Sequence, residues 1–286
     1  MIYHYTTLQT LNNLLNSYNN SDDKRNFIFW ASSVYTMNDE TEMLYGWDVV
    51  LNNLKLYENE NSVPIETRLS SYMERIKESS ISEIIMQHFY HEEKTPFAIS
   101  FSEVRDSLTM WHMYGGHGNG VCLCFDENNL YTEDGRMLIF PLLNVLYINQ
   151  PMNDEITHSI LSSALTQEYE HYLKSTSKND LEKIQAIAVI LQFLSAYIKH
   201  DAFFGEKEKR LVAIARNMEE SVHFRVSPKG SVIPYVQIPI PCNSLKEIII
   251  GPCLHSDVVQ NGLHLHLSVS RLDIPVSRSE IPYREY

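Results

Sequence analysis

The sequence predicts an α+β fold: a single α+β domain, 1–286, with a split, mostly antiparallel sheet and helical insertions at about 40–92 and 153–199. Three observations carry this expectation. Short runs rich in β-branched and aromatic residues recur along the whole chain. Helical periodicity interrupts them at irregular intervals, without the alternation that builds a parallel sheet. No G-x-G-x-x-G follows the first strand, which disfavours a doubly wound nucleotide-binding sheet.

The chain opens on a short apolar strand, Ile2 to Tyr5. Thr6 or Thr7 then caps an amphipathic helix with Leu8, Leu11, Leu14 and Leu15 on one face. FIFWAS (27–32) is a second strand. YTMNDETEM (35–43) is a turn in which Asn38 or Asp39 caps a helix running through Trp47 to about Tyr57. The polar stretch ENENSVP separates it from a longer helical region, 65–92. PFAISFS (96–102) is a strand, DSLTMWHMY (106–114) a short helix capped by Asp106, and GNGVCLCF (118–125) and RMLIFPLLNVLYI (136–148) are further strands. Two helices occupy about 153–176 and 179–199. After Phe203-Phe204-Gly205 the pattern turns strand-like: KRLVAIAR, VHFRV, VIPYVQIPI and LKEIIIG, then a helical turn near 255–263 and a final strand.

With 44% apolar residues, 11% aromatic and 10 glycines, the chain has the material for a sizeable core. Its net charge of −13, without a Lys/Arg stripe, argues against holding nucleic acid by bulk phosphate neutralisation. A nucleic acid modified through a local groove stays compatible with that total. Cys122, Cys124, Cys242 and Cys253 form no C-x-x-C pair, so zinc ribbons and thioredoxin chemistry lack support, and free thiols of a reducing compartment are expected. MIYHYTTLQT lacks a signal-peptide layout, and the apolar run Ala186 to Ile198 falls short of the roughly 18 residues a membrane span needs. The expectation is a cytoplasmic protein with no membrane association.

Four segments concentrate polar and aromatic residues where strands end: His4-Tyr5-Thr6; Asn38-Asp39 with Glu42; Ser100-Phe101-Ser102 with Asp106, Trp111 and Tyr114; and Glu206-Lys207-Glu208-Lys209-Arg210. Singly, each reads as architecture. Thr6 and Asn38-Asp39 suit helix caps, Trp111 and Tyr114 at i, i+3 suit a core, and alternating Glu206 and Glu208 suit a solvated strand entry.

In order, HYT, NDxxE, SFSxxxDSLxMWxxY, ExExR and IIIGP resemble a widespread bacterial family of domains of unknown function, from Tyr3 to Ser279-Glu280-Ile281-Pro282-Tyr283. More distantly, His4-x-Thr6 before an amphipathic helix resembles the start of H-x-T ADP-ribosyltransferases, including bacterial DNA-targeting toxins. That resemblance implies an ADP-ribosyltransferase-like fold and NAD as substrate. It also implies a toxin or phage-defence role, a protein or nucleic-acid acceptor, and an antitoxin as partner. It makes His4, Tyr114 and Glu208 the catalytic candidates, with Glu206 as the alternative carboxylate. Tyr5, Thr6, Asn38, Ser102, Trp111 and Arg210 become the NAD-binding candidates.

In this scheme His4 bonds a ribose hydroxyl, the Tyr5 backbone meets the nicotinamide carboxamide, and Thr6 holds the turn. Tyr114 or Trp111 stacks the nicotinamide, and Arg210 or Arg105 meets the pyrophosphate. Glu208 stabilises the oxocarbenium-like ribose. Asn38, Asp39 and Glu42 shape the pocket, orient the acceptor or cap a helix.

Other chemistries compete. NAD hydrolysis needs only water in place of the acceptor. Asp39, Glu42, Asp106, Glu206 and Glu208 converging on Mg²⁺ would make a nuclease or phosphoesterase, although Arg210 stands where a D/E-x-K pattern needs Lys. His88, His91, His112 and His117 are a zinc alternative, and a nucleotide-sensing module without catalysis is the non-enzymatic one.

Overall fold

The structure, a computed structural model, describes residues 1–37, 42–65, 68–71, 74, 95–130, 135–149, 193–227, 230–252 and 256–282. The helices expected over 65–92 and 153–176, most of that over 179–199, and Asn38, Asp39, His88, His91 and Cys253 lie wholly or largely outside these residues. Strand β1 (Ile2–Thr7) leads into α1 (Leu8–Asn20), and Thr7 is the cap, its hydroxyl accepting the Thr10 amide. There follow β2 (Asn26–Ser33), α2 (Glu42–Glu60), β3 (Pro96–Ser102), α3 (Leu108–Met113) and β4 (Gly120–Phe125). Next come β5 (Met137–Ile139), β6 (Leu143–Asn144), β7 (Leu146–Ile148), β8 (Ile198–His200) and β9 (Glu208–Ala215). The chain continues through α4 (Met218–Ser221), β10 (Val222–Val226), β11 (Val232–Pro241), β12 (Leu245–Ile250), α5 (Ser256–Ser270) and β13 (Val276–Arg278).

Among the described residues, eleven strands form one sheet, antiparallel except for β12–β13, while β7 and β8 form a separate parallel pair. The sheet forks at β3. One edge of β3 pairs with β9 from Pro96↔Ile214 to Ser102↔Glu208. The other edge is shared: β2 holds Phe97 and Ala98, and β1 holds Ser102. From there β2 continues into β11 and β10, and β1 into β4, β12 and β13. This is the expected split sheet.

Side chains alternate across each strand, so the two faces separate cleanly. One face carries Ile2, Phe27, Phe29, Ile99, Phe101, Leu123, Leu211, Ile238 and Ile248, packed in a single core with Leu11 and Leu15 of α1 and Leu263 and Leu267 of α5. On the opposite face, Tyr5, Cys122, Cys124 and Ile249 pack with Met110 and Trp111 of α3. Ala98 and Val212 pack there with Val34, Met43, Ala196 and Tyr197. Helix α2 joins β7 and β8 through Trp47, Val50, Leu54, Ile148 and Ile198. Gly46 lets α2 approach the chain closely, since a Cβ there would lie 2.5 Å from the Ser195 carbonyl oxygen.

Four sequence expectations need correction. Ser107, not Asp106, caps α3, accepting the Met110 amide. The strand expected over 136–148 is three short ones, interrupted around Phe140-Pro141, where proline has no N–H for a ladder. The last residues of the helix expected to 199 are strand β8, drawn into extended form by pairing with β7. The helical turn near 255–263 is the longer helix α5. Among the described residues, no helix is long and apolar enough to cross a membrane, and Cys122, Cys124 and Cys242 are free thiols.

Candidate functional site: a buried carboxylate–cation cluster

Where β3 lies against β9, Ser102 stands opposite Glu208 and Ser100 opposite Arg210. Residues opposite each other on antiparallel strands share a face, so these four project to the side away from the large core. Lys199 of β8, Glu42 at the first turn of α2 and Glu206 just before β9 meet them. None of Glu42, Lys199, Glu206, Glu208 and Arg210 is more than 6% exposed.

The contacts form a closed network. Arg210 grips Glu208 with two nitrogens, Nε to Oε1 at 2.7 Å and Nη2 to Oε2 at 3.0 Å. Its remaining donors reach Glu42 and the Ala196 carbonyl. The Lys199 ammonium lies between three carboxylates, 2.7 Å from Glu206, 3.2 Å from Glu208 and 3.5 Å from Glu42. It also stands 4.7 Å above the Phe203 ring. The Tyr114 hydroxyl donates to Glu206 Oε1 at 2.8 Å. The Ser102 hydroxyl donates to the Glu206 carbonyl at 2.6 Å, fixing the backbone behind that carboxylate.

Burial alone would raise the Glu208 pKa. Arg210, Lys199 and the Ser100 hydroxyl outweigh it and hold the group at about 2. Burial would likewise discharge Lys199, yet Glu208, Glu42 and Glu206 raise its pKa above the ordinary lysine value. Burial, then Glu206, raise the Tyr114 pKa, so its hydroxyl keeps its proton as a donor.

Local backbone geometry sets up this meeting. Residues 201–206 form a 3₁₀ turn closed by Lys207 in the left-handed region, φ 42° and ψ 56°. A non-glycine residue there costs about 1–2 kcal/mol, and strain of this kind concentrates at functional sites. The Lys207 carbonyl accepts the Glu103 amide at 2.9 Å, tying the turn to the end of β3. Asp106, also left-handed at φ 56°, accepts the Trp111 indole N–H at 2.7 Å and the Glu280 amide at 2.8 Å. It thereby clasps the C-terminal segment to α3, the helix that ends at Tyr114. The glycine of IIIGP is explained by crowding: a Cβ on Gly251 would lie 2.5 Å from the Gly118 carbonyl oxygen.

Of the residues singled out in the sequence, Tyr114, Ser102, Glu206, Glu208, Arg210 and Glu42 come together. His4 does not. It pairs with Leu123 and lies on the core face, its Nδ1 2.9 Å from the Ser100 carbonyl oxygen and its ring edge-on to Phe29 and Phe101. Burial lowers its pKa. It is a wedge at the fork, turned away from the carboxylates.

Trp111 is fully buried against Tyr5 and the cysteines, so it is core and not a stacking platform. Arg210 has its guanidinium spent on Glu208, Glu42 and Ala196, which removes it as a pyrophosphate ligand. The Tyr5 hydroxyl bridges the Val104 carbonyl and the Ser107 amide, and Thr6 is buried at the end of β1. Asn38 lies outside the described residues. Arg105 pairs with Glu247 at 2.8 Å.

Glu42, Glu206 and Glu208 do converge, but on the Lys199 ammonium, at the position the magnesium reading gives to a divalent ion; Asp106 is engaged elsewhere. Among the described residues, no group of three or more His, Cys, Asp or Glu is placed to hold a metal. His112 and His117 pair with each other, Nδ1 to Nδ1 at 3.4 Å.

Sequence reasoning missed Lys199, the centre of the network. It sits at the end of an apolar run of helical character, where a lysine reads as the polar end of a helix.

Residues 110–211 match a family model described as a protein of unknown function (DUF2971). The matched stretch begins inside α3 and ends in β9, so it spans Tyr114, Lys199, Glu206, Glu208 and Arg210. No curated protein and no solved structure matches the chain.

Proposed function

We propose that the chain is an NAD-dependent ADP-ribosyltransferase acting on a macromolecular acceptor, with Glu206 as the reacting carboxylate. The observation that carries this reading is the Tyr114 hydroxyl on Glu206, with Lys199 bridging Glu206 to Glu208 in a buried site. Glu208 accepts from Arg210 twice, from Lys199 and from Ser100, which nearly fills its lone pairs. Among the described residues, Glu206 accepts only from Tyr114 and Lys199 at its carboxylate, which leaves capacity for a substrate hydroxyl.

Breaking the nicotinamide–ribose bond sends its electron pair to the ring nitrogen and leaves positive charge on the ribose. Glu206, fixed and desolvated, offsets that charge as it develops. The acceptor's nucleophile then bonds to the ribose carbon and releases its proton. Tyr114 and Ser102 hold Glu206 in place, while Arg210 anchors Glu208. An acceptor of this kind fits a toxin or phage-defence role, and an antitoxin would be the natural partner.

The test incubates the protein with NAD labelled on the adenylate phosphate and a cell extract, following free nicotinamide and labelled protein, DNA and RNA. Glu206→Gln is expected to lower nicotinamide release by about 100- to 1000-fold. Tyr114→Phe, which loses one hydrogen bond to a charged group, should lower it by about tenfold or more. Release with no retained label would make the activity NAD hydrolysis. No release and no NAD binding would overturn the proposal.

A further inference from the structure

Away from the buried cluster, two histidines meet on the surface. His112 lies in the last turn of α3 and His117 in the turn that follows it, and both are exposed. Their rings stand edge-on, 77° apart with centroids at 4.7 Å, and the two Nδ1 atoms approach to 3.4 Å. A hydrogen bond between ring nitrogens would draw them to about 3.0 Å. Two imidazoles sharing a tetrahedral zinc ion, each about 2.0–2.1 Å from it, hold their nitrogens about 3.3–3.4 Å apart. The observed separation suits two ligands of one ion better than a donor and its acceptor.

The backbone is bent to bring this pair together. His117 sits in the left-handed region, φ 53° and ψ 40°, between Gly116 at φ 56° and Gly118 at φ 87°. A residue with a side chain seldom adopts that conformation, and such strain gathers where ligands are held. The turn is stiff as well as bent. The Gly118 amide donates to the Gly115 carbonyl and the Asn119 amide to the Gly116 carbonyl, each at 3.1 Å. Gly115 packs directly on Trp111, where a Cβ would lie 2.5 Å from the indole ring. We propose that His112 and His117 form a two-imidazole zinc site that clips the last turn of α3 to the glycine turn after it. Imidazole nitrogens suit zinc and the neighbouring transition metals, whereas magnesium and calcium take oxygen. Each ring gives Nδ1 to the ion and keeps its proton on Nε2. Two protein ligands leave positions for water, so the ion exchanges instead of being locked in a closed structural site. Tyr114 lies within the loop that the ion closes, so the clip steadies the residue that bonds Glu206. The site stands independently of the NAD reading.

The experiment adds Zn²⁺ to the full chain and maps histidine modification by diethyl pyrocarbonate with mass spectrometry. Calorimetric titration of the same protein, of His112→Gln and of His117→Asn runs beside it; asparagine tolerates the left-handed conformation. Zinc takes the lone pair that the reagent attacks, so it should shield His112 and His117 while the exposed His223 and His264 react as before. Each variant should bind Zn²⁺ on the order of a hundredfold more weakly, since losing even an outer partner of a ligand costs about 10- to 100-fold. Unfolding curves without metal establish that the variants fold, and where one does not, shielding in the intact chain decides. Modification of His112 and His117 that zinc leaves unchanged would overturn the proposal. So would folded variants that titrate like the intact chain.

Discussion

At the scale of single residues, Arg210 and Glu208 define the energetics of the site. Arg210→Met strands Glu208 and Glu42 in a buried position without their main donor. The expected loss is about 3–5 kcal/mol of stability, measured by urea unfolding. Glu208 is held at about 2 in the folded protein, below the ordinary glutamate value of 4.5. Its contribution is therefore complete above pH 4.5 and disappears as the pH falls toward 2. His4 adds a second acid sensitivity in a milder range. Its folded pKa lies below the ordinary 6.5, so the unfolded chain takes up the proton first. Its contribution is whole above pH 6.5 and shrinks below it. His4→Gln should flatten stability between pH 7 and pH 5 while leaving nicotinamide release per folded molecule unchanged. A specific loss of release in that variant would put His4 back in the reaction.

At the scale of elements, β3 and β9 form the seam on which the site is built, and α1 shows how the opposite face is held. Leu15 is fully buried there, and Leu15→Ala should cost about 2–5 kcal/mol by thermal or urea unfolding. Much of this architecture could be read in advance. The alternation in FIFWAS, PFAISFS and VCLCF marks strands with two distinct faces, and the threonines after the first strand mark the cap of α1. The same alternation puts His4 in step with Ile2, an apolar residue of the core, and away from Tyr3 and Tyr5; the H-x-T resemblance instead made His4 a catalytic candidate. What could not be read were partnerships over long distances. Lys199 is extended only because Ile198–His200 pairs with Leu146–Ile148 some fifty positions earlier. Glu42 meets Arg210, which stands far later in the chain. Neither neighbourhood carries a local signal of its role.

At the scale of the whole molecule, the site belongs to no single segment. It joins the start of α2, the ends of β3 and α3, β8 and the entry to β9, and the bond between Ser102 and Glu206 spans 104 positions. A chain ending before β9 keeps β1 to β4 but leaves one whole edge of β3 unpaired, and it should be cut rapidly by protease where the full chain resists. Separations of this length slow folding. The fork at β3 thus has a meaning in time. On the ribosome, the first arm of the sheet emerges and waits, with Tyr114 already made and no carboxylate to receive it. Glu206 and Glu208 arrive late, and the clasp on Asp106 arrives later still. A protein assembled in this order completes its buried cluster only once β9 has closed against β3.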